Sequence, residues 1–221
     1  MTLPALITNY KEKALISQAK KGLSVVLNAL SKTRANLEVE NNGEIFDSNN
    51  TSDQTADLFF ANMNVASRCT SYKTNCLKDY KLKYAKPTND GYGNYDKPSD
   101  NYMSGFSRAI LNNGMIIGLW QTKYPEGNCT NYYTTWDKDS NGNYILDSDG
   151  NKVNERLVKE TDCGHIFFDV NGLKGPNQFG ADVYMIYVTP YAYTQNWGYI
   201  NNVIQNNKLD AVQYDVNGKF E

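Results

Sequence analysis

Oxygen-bearing side chains at short, regular intervals are the first candidates for chemistry in this chain. Asp137, Asp139 and Asn141, followed by Gly142 and Asn143, alternate as the ligands of a calcium loop do, with the glycine placed for the sharp turn. The position where such a loop needs a bidentate glutamate holds Ser148, and no helical pattern flanks it. A second stretch runs Asp169-Val-Asn171-Gly172-Leu-Lys174-Gly175-Pro176-Asn177-Gln-Phe-Gly180-Ala-Asp182. In it Asp169, Asn171 and Asp182 either converge on an ion or accept hydrogen bonds from the loop's own amides. Calcium is the cofactor that both sets suggest. The same residue types also build tight turns by bonding their own backbone, with no ion present.

Sulfur and imidazole come next. Cys69, Cys76, Cys129 and Cys163 permit three pairings if all are oxidised. The most economical joins Cys69 to Cys76 and Cys129 to Cys163, and structural disulfides imply an oxidising compartment. No CxxC pair occurs, and a single histidine, His165, furnishes a zinc site poorly. A reactive thiol paired with His165 would need an orienting partner that the sequence does not identify. Motifs for a nucleophilic serine elbow, a zinc protease, a phosphate loop or a dinucleotide fold are absent, so no catalytic residues are assigned.

The elements that must position these residues follow from periodicity. In Met1 to Leu30, apolar residues recur three or four apart through Leu3, Ile7, Tyr10 and Ala14, then through Ile16, Ala19, Leu23, Val26 or Leu27 and Leu30, the stripe of an amphipathic helix. Lys11, Lys13, Lys20 and Lys21 lie mostly off that stripe, while Gly22 weakens the helix by about 1 kcal/mol relative to alanine. Residues 35–50 read as its frayed end and a loop. Ser52 to Arg68 reads as a second helix capped by Ser52 or Asp53, with Ala56, Phe59, Phe60 and Met63 on its apolar side. From Ser71 to Tyr102 no period is clear, which suggests a long surface excursion.

Strand signals fill the rest. Ala109–Leu111 and Met115–Trp120 flank Asn112-Asn113-Gly114, a hairpin turn sequence. A second hairpin series spans Tyr132 to Val158, turning at Asp139-Ser140-Asn141-Gly142 and Asp147-Ser148-Asp149-Gly150. His165–Val170 and Ala181–Thr189 are further strands, the latter closed by Pro190. The tail carries a helical turn near Tyr199–Ile204 and a strand near Ala211–Tyr214. Tyr184, Tyr187, Tyr191, Tyr193, Trp197 and Tyr199 form either a platform for sugar or ordinary sheet packing.

Composition narrows the class. With 221 residues the chain is long enough for a real core, and a net charge of -2 gives no general attraction to nucleic acid. Seventeen tyrosines beside a low charge content suit a secreted or surface β-rich protein. No run approaches the roughly twenty apolar residues of a membrane helix.

Two matches in sequence order carry a resemblance. Leu3, Pro4, Ala5, Leu6 and Tyr10, leading into a lysine-rich amphipathic run, are similar to the junction between the membrane span and the head in type IV pilins and type II secretion pseudopilins. The stretch from Asp169 to Asp182 resembles the D-V-N-G-x-K-G-P-N-x-x-G-x-D signature of bacterial proteins with a prepilin-type cleavage and methylation segment. The resemblance implies an α+β, pilin-like fold with a long N-terminal helix packed on an antiparallel β-sheet, a long surface excursion and two disulfides. Residues 1–35 are then the lower part of a pilin-type helix and 36–221 the globular head.

Function follows from the same resemblance. It implies a structural filament subunit without enzymatic activity, held in the inner membrane by an apolar segment preceding this sequence, with a periplasmic or extracellular head. Its partners would be other pilin or pseudopilin subunits, and some members bind calcium at a loop comparable to Asp169, Asn171 and Asp182. Leu3, Ile7 and Tyr10 should then be exposed, and Leu23, Val26, Leu27 and Leu30 buried. The alternative is a secreted or surface adhesive module that binds glycan, and a third reading is a hydrolase using carboxylates.

Overall fold

The computed structural model describes residues 3–73, 77, 80–82, 97–98, 105–124, 129–195 and 199–210. Helix α1, Leu3–Leu37, is 35 residues long, so its axis spans about 50 Å at 1.5 Å per residue. Leu15, Ile16, Ala19, Leu23, Val26, Ala29 and Leu30 are buried in the main core, and Leu27 is half-buried against it. Residues 6–10 are all exposed.

The short helix α2, Asn42–Ile45, stands where a loop was expected. Asn41 and Glu44 form a reciprocal cap that holds it, and Ile45 and Phe46 anchor it in the core. Helix α3, Ser52–Phe60, is capped by Thr51 with Gln54, one residue before the expected cap. It ends earlier than its sequence pattern suggests. Strand β1, Val65–Cys69, pairs with β4, Ser107–Leu111, so tertiary pairing claims residues that helical periodicity had assigned to α3. Arg68 folds back to bind Asp57 at 2.6 Å and stands 4.4 Å from the Phe60 ring.

Strands β5, Ile116–Gln121, β8, Gly164–Asp169, β9, Val183–Val188, and β10, Tyr193–Gln195, complete a six-stranded sheet. Its order is β1-β4-β5-β8-β9-β10, and every pairing is antiparallel. The fold is therefore α+β, with the N-terminal helix beside an antiparallel sheet. The expected hairpin joins β4 to β5 through Gly114, at φ 88°, the left-handed conformation that glycine tolerates. Helix α4, Ile200–Asn206, closes the helical side. The expected strand at Ala211–Tyr214 lies outside the described residues.

Both faces of the sheet are apolar, so both need covering. On one face Ile117, Leu119, Ile166, Phe168, Tyr184 and Ile186 meet the helices. On the other, Ile116, Phe167, Val183 and Met185 pack with Leu77, Tyr80 and Leu82. Within the expected surface excursion, Ser71 to Tyr102, these three residues are buried while Tyr72 is exposed, and most of the segment lies outside the described residues. Two short strands, β2, Lys81–Leu82, and β3, Lys97–Pro98, pair within it.

Gly22 has a structural reason. A Cβ there would lie 2.8 Å from Val170 Cγ1 and 3.3 Å from Met115 and Phe168, so glycine lets α1 approach the sheet closely. Gly22→Leu is expected to lower the unfolding free energy by about 1–3 kcal/mol through overpacking, measured by urea denaturation. An unchanged midpoint would mean that α1 is not docked there.

Candidate functional site

The loop from Asp169 to Asp182 is built around two buried carboxylates. Asp169 Oδ1 accepts the amides of Asn171 at 3.0 Å and Gly172 at 2.7 Å, and its Oδ2 accepts the Tyr80 hydroxyl at 2.7 Å. Asp182 Oδ2 accepts the Asn177 amide at 2.9 Å and its Oδ1 that of Gln178 at 2.7 Å. Asn171 Nδ2 donates to the Gly175 carbonyl. The loop is thus drawn inward onto its own two acids. Burial, with the Asp182 charge second, pushes the Asp169 carboxyl well above its usual range. Burial raises Asp182 to about 6, against the opposing pull of the Gln178 and Asn177 amides.

These contacts test the fit of calcium. All four carboxylate oxygens accept N–H or O–H donors of the protein, so the loop's fold is accounted for by its own hydrogen bonds. Among the described residues Asn171 Oδ1 and Asn177 Oδ1 are buried acceptors without a hydrogen-bond donor.

In the other set, Asp137 binds Arg156 and Asn154, each at 2.6 Å. Asp139 Oδ1 accepts the amides of Asn141 and Asn143, and Asp147 accepts those of Asp149 and Asn151 in the same way. The repeated Asp-Ser-x-Gly pattern makes two matching turns with Gly142 and Gly150 at positive φ, and Asp137 and Asp139 are engaged by these local bonds. Among the described residues no group of three or more His, Cys, Asp or Glu is placed to hold a metal.

One expected disulfide is present, Cys129–Cys163. It joins the two ends of a two-stranded arm formed by β6, Thr130–Thr135, and β7, Arg156–Thr161. Both sulfurs are buried while Tyr132, Tyr133, Leu146 and Leu157 of the arm are exposed. Cys69 is disulfide-bonded as well, and its expected partner Cys76 lies outside the described residues.

The tyrosine platform is divided by the fold. Tyr184 is buried in the helical-side core, Tyr193 bonds Asn201, Tyr191 is exposed, and Trp197 lies outside the described residues. Only Tyr187 joins another constellation, in a row with Trp120 and His165 across three strands. Sequence reading missed this row, because His165 and Asp162 gain meaning only once β5, β8 and β9 are in register.

Another surface with functional character is the start of α1. Leu6, Ile7 and Tyr10 are 56%, 47% and 74% exposed, on a helix whose later turns are buried. Leu3 has no described side chain. No helix among the described residues is long and apolar enough to cross a membrane. Comparison with family models, curated proteins and solved structures finds no match.

Proposed function

We propose that this chain is the stem and head of a filament subunit of the type IV pilin or pseudopilin kind. The observation that carries the proposal is α1 itself, whose first ten or so residues run about 15 Å past the part packed on the sheet. Apolar side chains on a protruding helix gain little until another surface covers them, and equivalent helices of neighbouring copies would do so. The sheet and its loops then form the outer head, and an apolar segment ahead of this sequence would anchor the subunit in the inner membrane before assembly. The disulfides suit a periplasmic or extracellular location. Catalysis has no part in this proposal.

Replacing Ile7 and Tyr10 with aspartate in the full-length protein of the producing cell tests it. Filaments are expected to disappear from electron micrographs, while the melting temperature of the purified head stays within about 1 °C, because neither side chain is packed. Normal filaments from the double variant would overturn the proposal. A large loss of head stability would show that these residues serve the fold instead.

A further inference from the structure

A cleft of about 770 Å³ opens at the end of the sheet where α3 begins and β7 returns to β8, a volume suited to a small ligand. Trp120, His165 and Tyr187 line it as cross-strand neighbours, the His165 ring stacked on Tyr187 with centroids 3.9 Å apart and tilted against Trp120 at 4.8 Å, so the imidazole lies between the other two rings. Behind them lies Asp162, 6% exposed. Its Oδ2 is 2.8 Å from His165 Nε2 and also accepts the Thr122 hydroxyl at 2.8 Å. Among the described residues its Oδ1 is buried without a hydrogen-bond partner. A buried carboxylate oxygen lacking a donor is a costly arrangement, and a donor delivered through the cleft would relieve it.

With Asp162 as acceptor, the neutral imidazole carries its proton on Nε2 and offers Nδ1 as an acceptor for a ligand. The Thr122 hydroxyl serves Asp162 and does not bridge to the imidazole, so the dyad is not extended into a nucleophile. Charge narrows the ligand further. Three carboxylates, Asp53, Glu160 and Asp162, line the cleft and disfavour phosphate. Asp53 is held by the Ser71 amide and hydroxyl, and Lys123 shares the lining with Glu160, so two of the three carboxylates already have donors or a counter-charge of the protein's own beside them. The groups left over are hydroxyls and acceptors beside aromatic carbon. We propose that this cleft binds a neutral saccharide unit, whose hydroxyls donate to Asp162, His165 Nδ1 and Glu160 and whose C–H surface lies against Trp120 and Tyr187, the two rings that flank the imidazole.

The site is separate from α1, so its test does not depend on filament assembly. The isolated chain is titrated by NMR with methyl α-glucoside, methyl β-galactoside, methyl α-mannoside and N-acetylglucosamine, with arginine and inorganic phosphate as counter-probes. At least one sugar should shift the Trp120 indole and His165 ring signals saturably, with a dissociation constant on the order of 1 mM, as expected for a dozen-atom ligand. Asp162→Asn should weaken that binding about tenfold by removing the unpaired acceptor. Glu160→Gln, on an exposed residue, should weaken it about threefold with an unchanged melting temperature, and it carries the test if Asp162→Asn does not fold. Tighter binding of arginine or phosphate would overturn the proposal, as would absence of saturable shifts with every sugar up to about 50 mM, well above the expected constant.

Discussion

Asp169→Ala is expected to destabilise the protein by about 3–5 kcal/mol, the range for removing one member of a buried polar network. The carboxylate holds the amides of Asn171 and Gly172 and the Tyr80 hydroxyl, and alanine leaves all three donors without that acceptor. Tyr80 ties the segment that covers the outer face of the sheet to the loop, so that face should loosen with it. Asp169→Asn should be much milder, about 1 kcal/mol, since its amide oxygen can still accept from the loop and its NH2 can donate to the Tyr80 oxygen. Chemical denaturation of the two variants provides the comparison, and equal losses would show that the loop does not depend on this acceptor.

The same pair predicts a pH dependence of unusual sign. Carboxyls raised in the folded state bind protons more tightly there than in the unfolded chain, whose aspartates titrate near 3.9. Between that value and the folded one the native state holds more protons, so stability falls as pH rises. For Asp182 the window runs from about 4 to about 6, and for Asp169 it extends upward from the same lower limit. Melting temperature should therefore be higher at pH 5 than at pH 8, and Asp169→Asn should flatten the difference. Asp53, whose hydrogen bonds with Ser71 hold its carboxyl low despite burial, acts in the opposite direction below pH 4.

Opening the Cys129–Cys163 bond by paired alanine substitution is expected to cost about 4 kcal/mol, from a sequence separation of 34 in the chain-entropy treatment. For a chain of this length that corresponds to a fall of about 8–16 °C in melting temperature. The bond ties the two ends of the arm formed by β6 and β7, and its loss leaves the β6–β7 pairing alone to hold them together. Limited proteolysis between residues 136 and 154 should accelerate along with the thermal shift. If stability and proteolysis are both unchanged, the bond contributes nothing to the neck of the arm.

Residues close together in sequence declared their structure early. The stripe from Ala19 to Leu30, the Asn-Gly hairpin at Gly114 and the two Asp-Ser-x-Gly turns rest on helical period, backbone freedom of glycine and side-chain bonds across two to four residues, and all of these are local. The pairing of Cys129 with Cys163 was readable for a similar reason, since a hairpin brings its own ends together. Tertiary structure decided the rest. Val65–Cys69 became a strand because β4 offered a partner, and Leu77, Tyr80 and Leu82 went inside because the second face of the sheet needed a cover. Asp169 and Asp182 have ligand chemistry by residue type, yet the donors that reach them, including a phenol 89 residues away, set their role in this fold. His165 met Trp120 and Tyr187 through strand register alone, which no short-range pattern specifies.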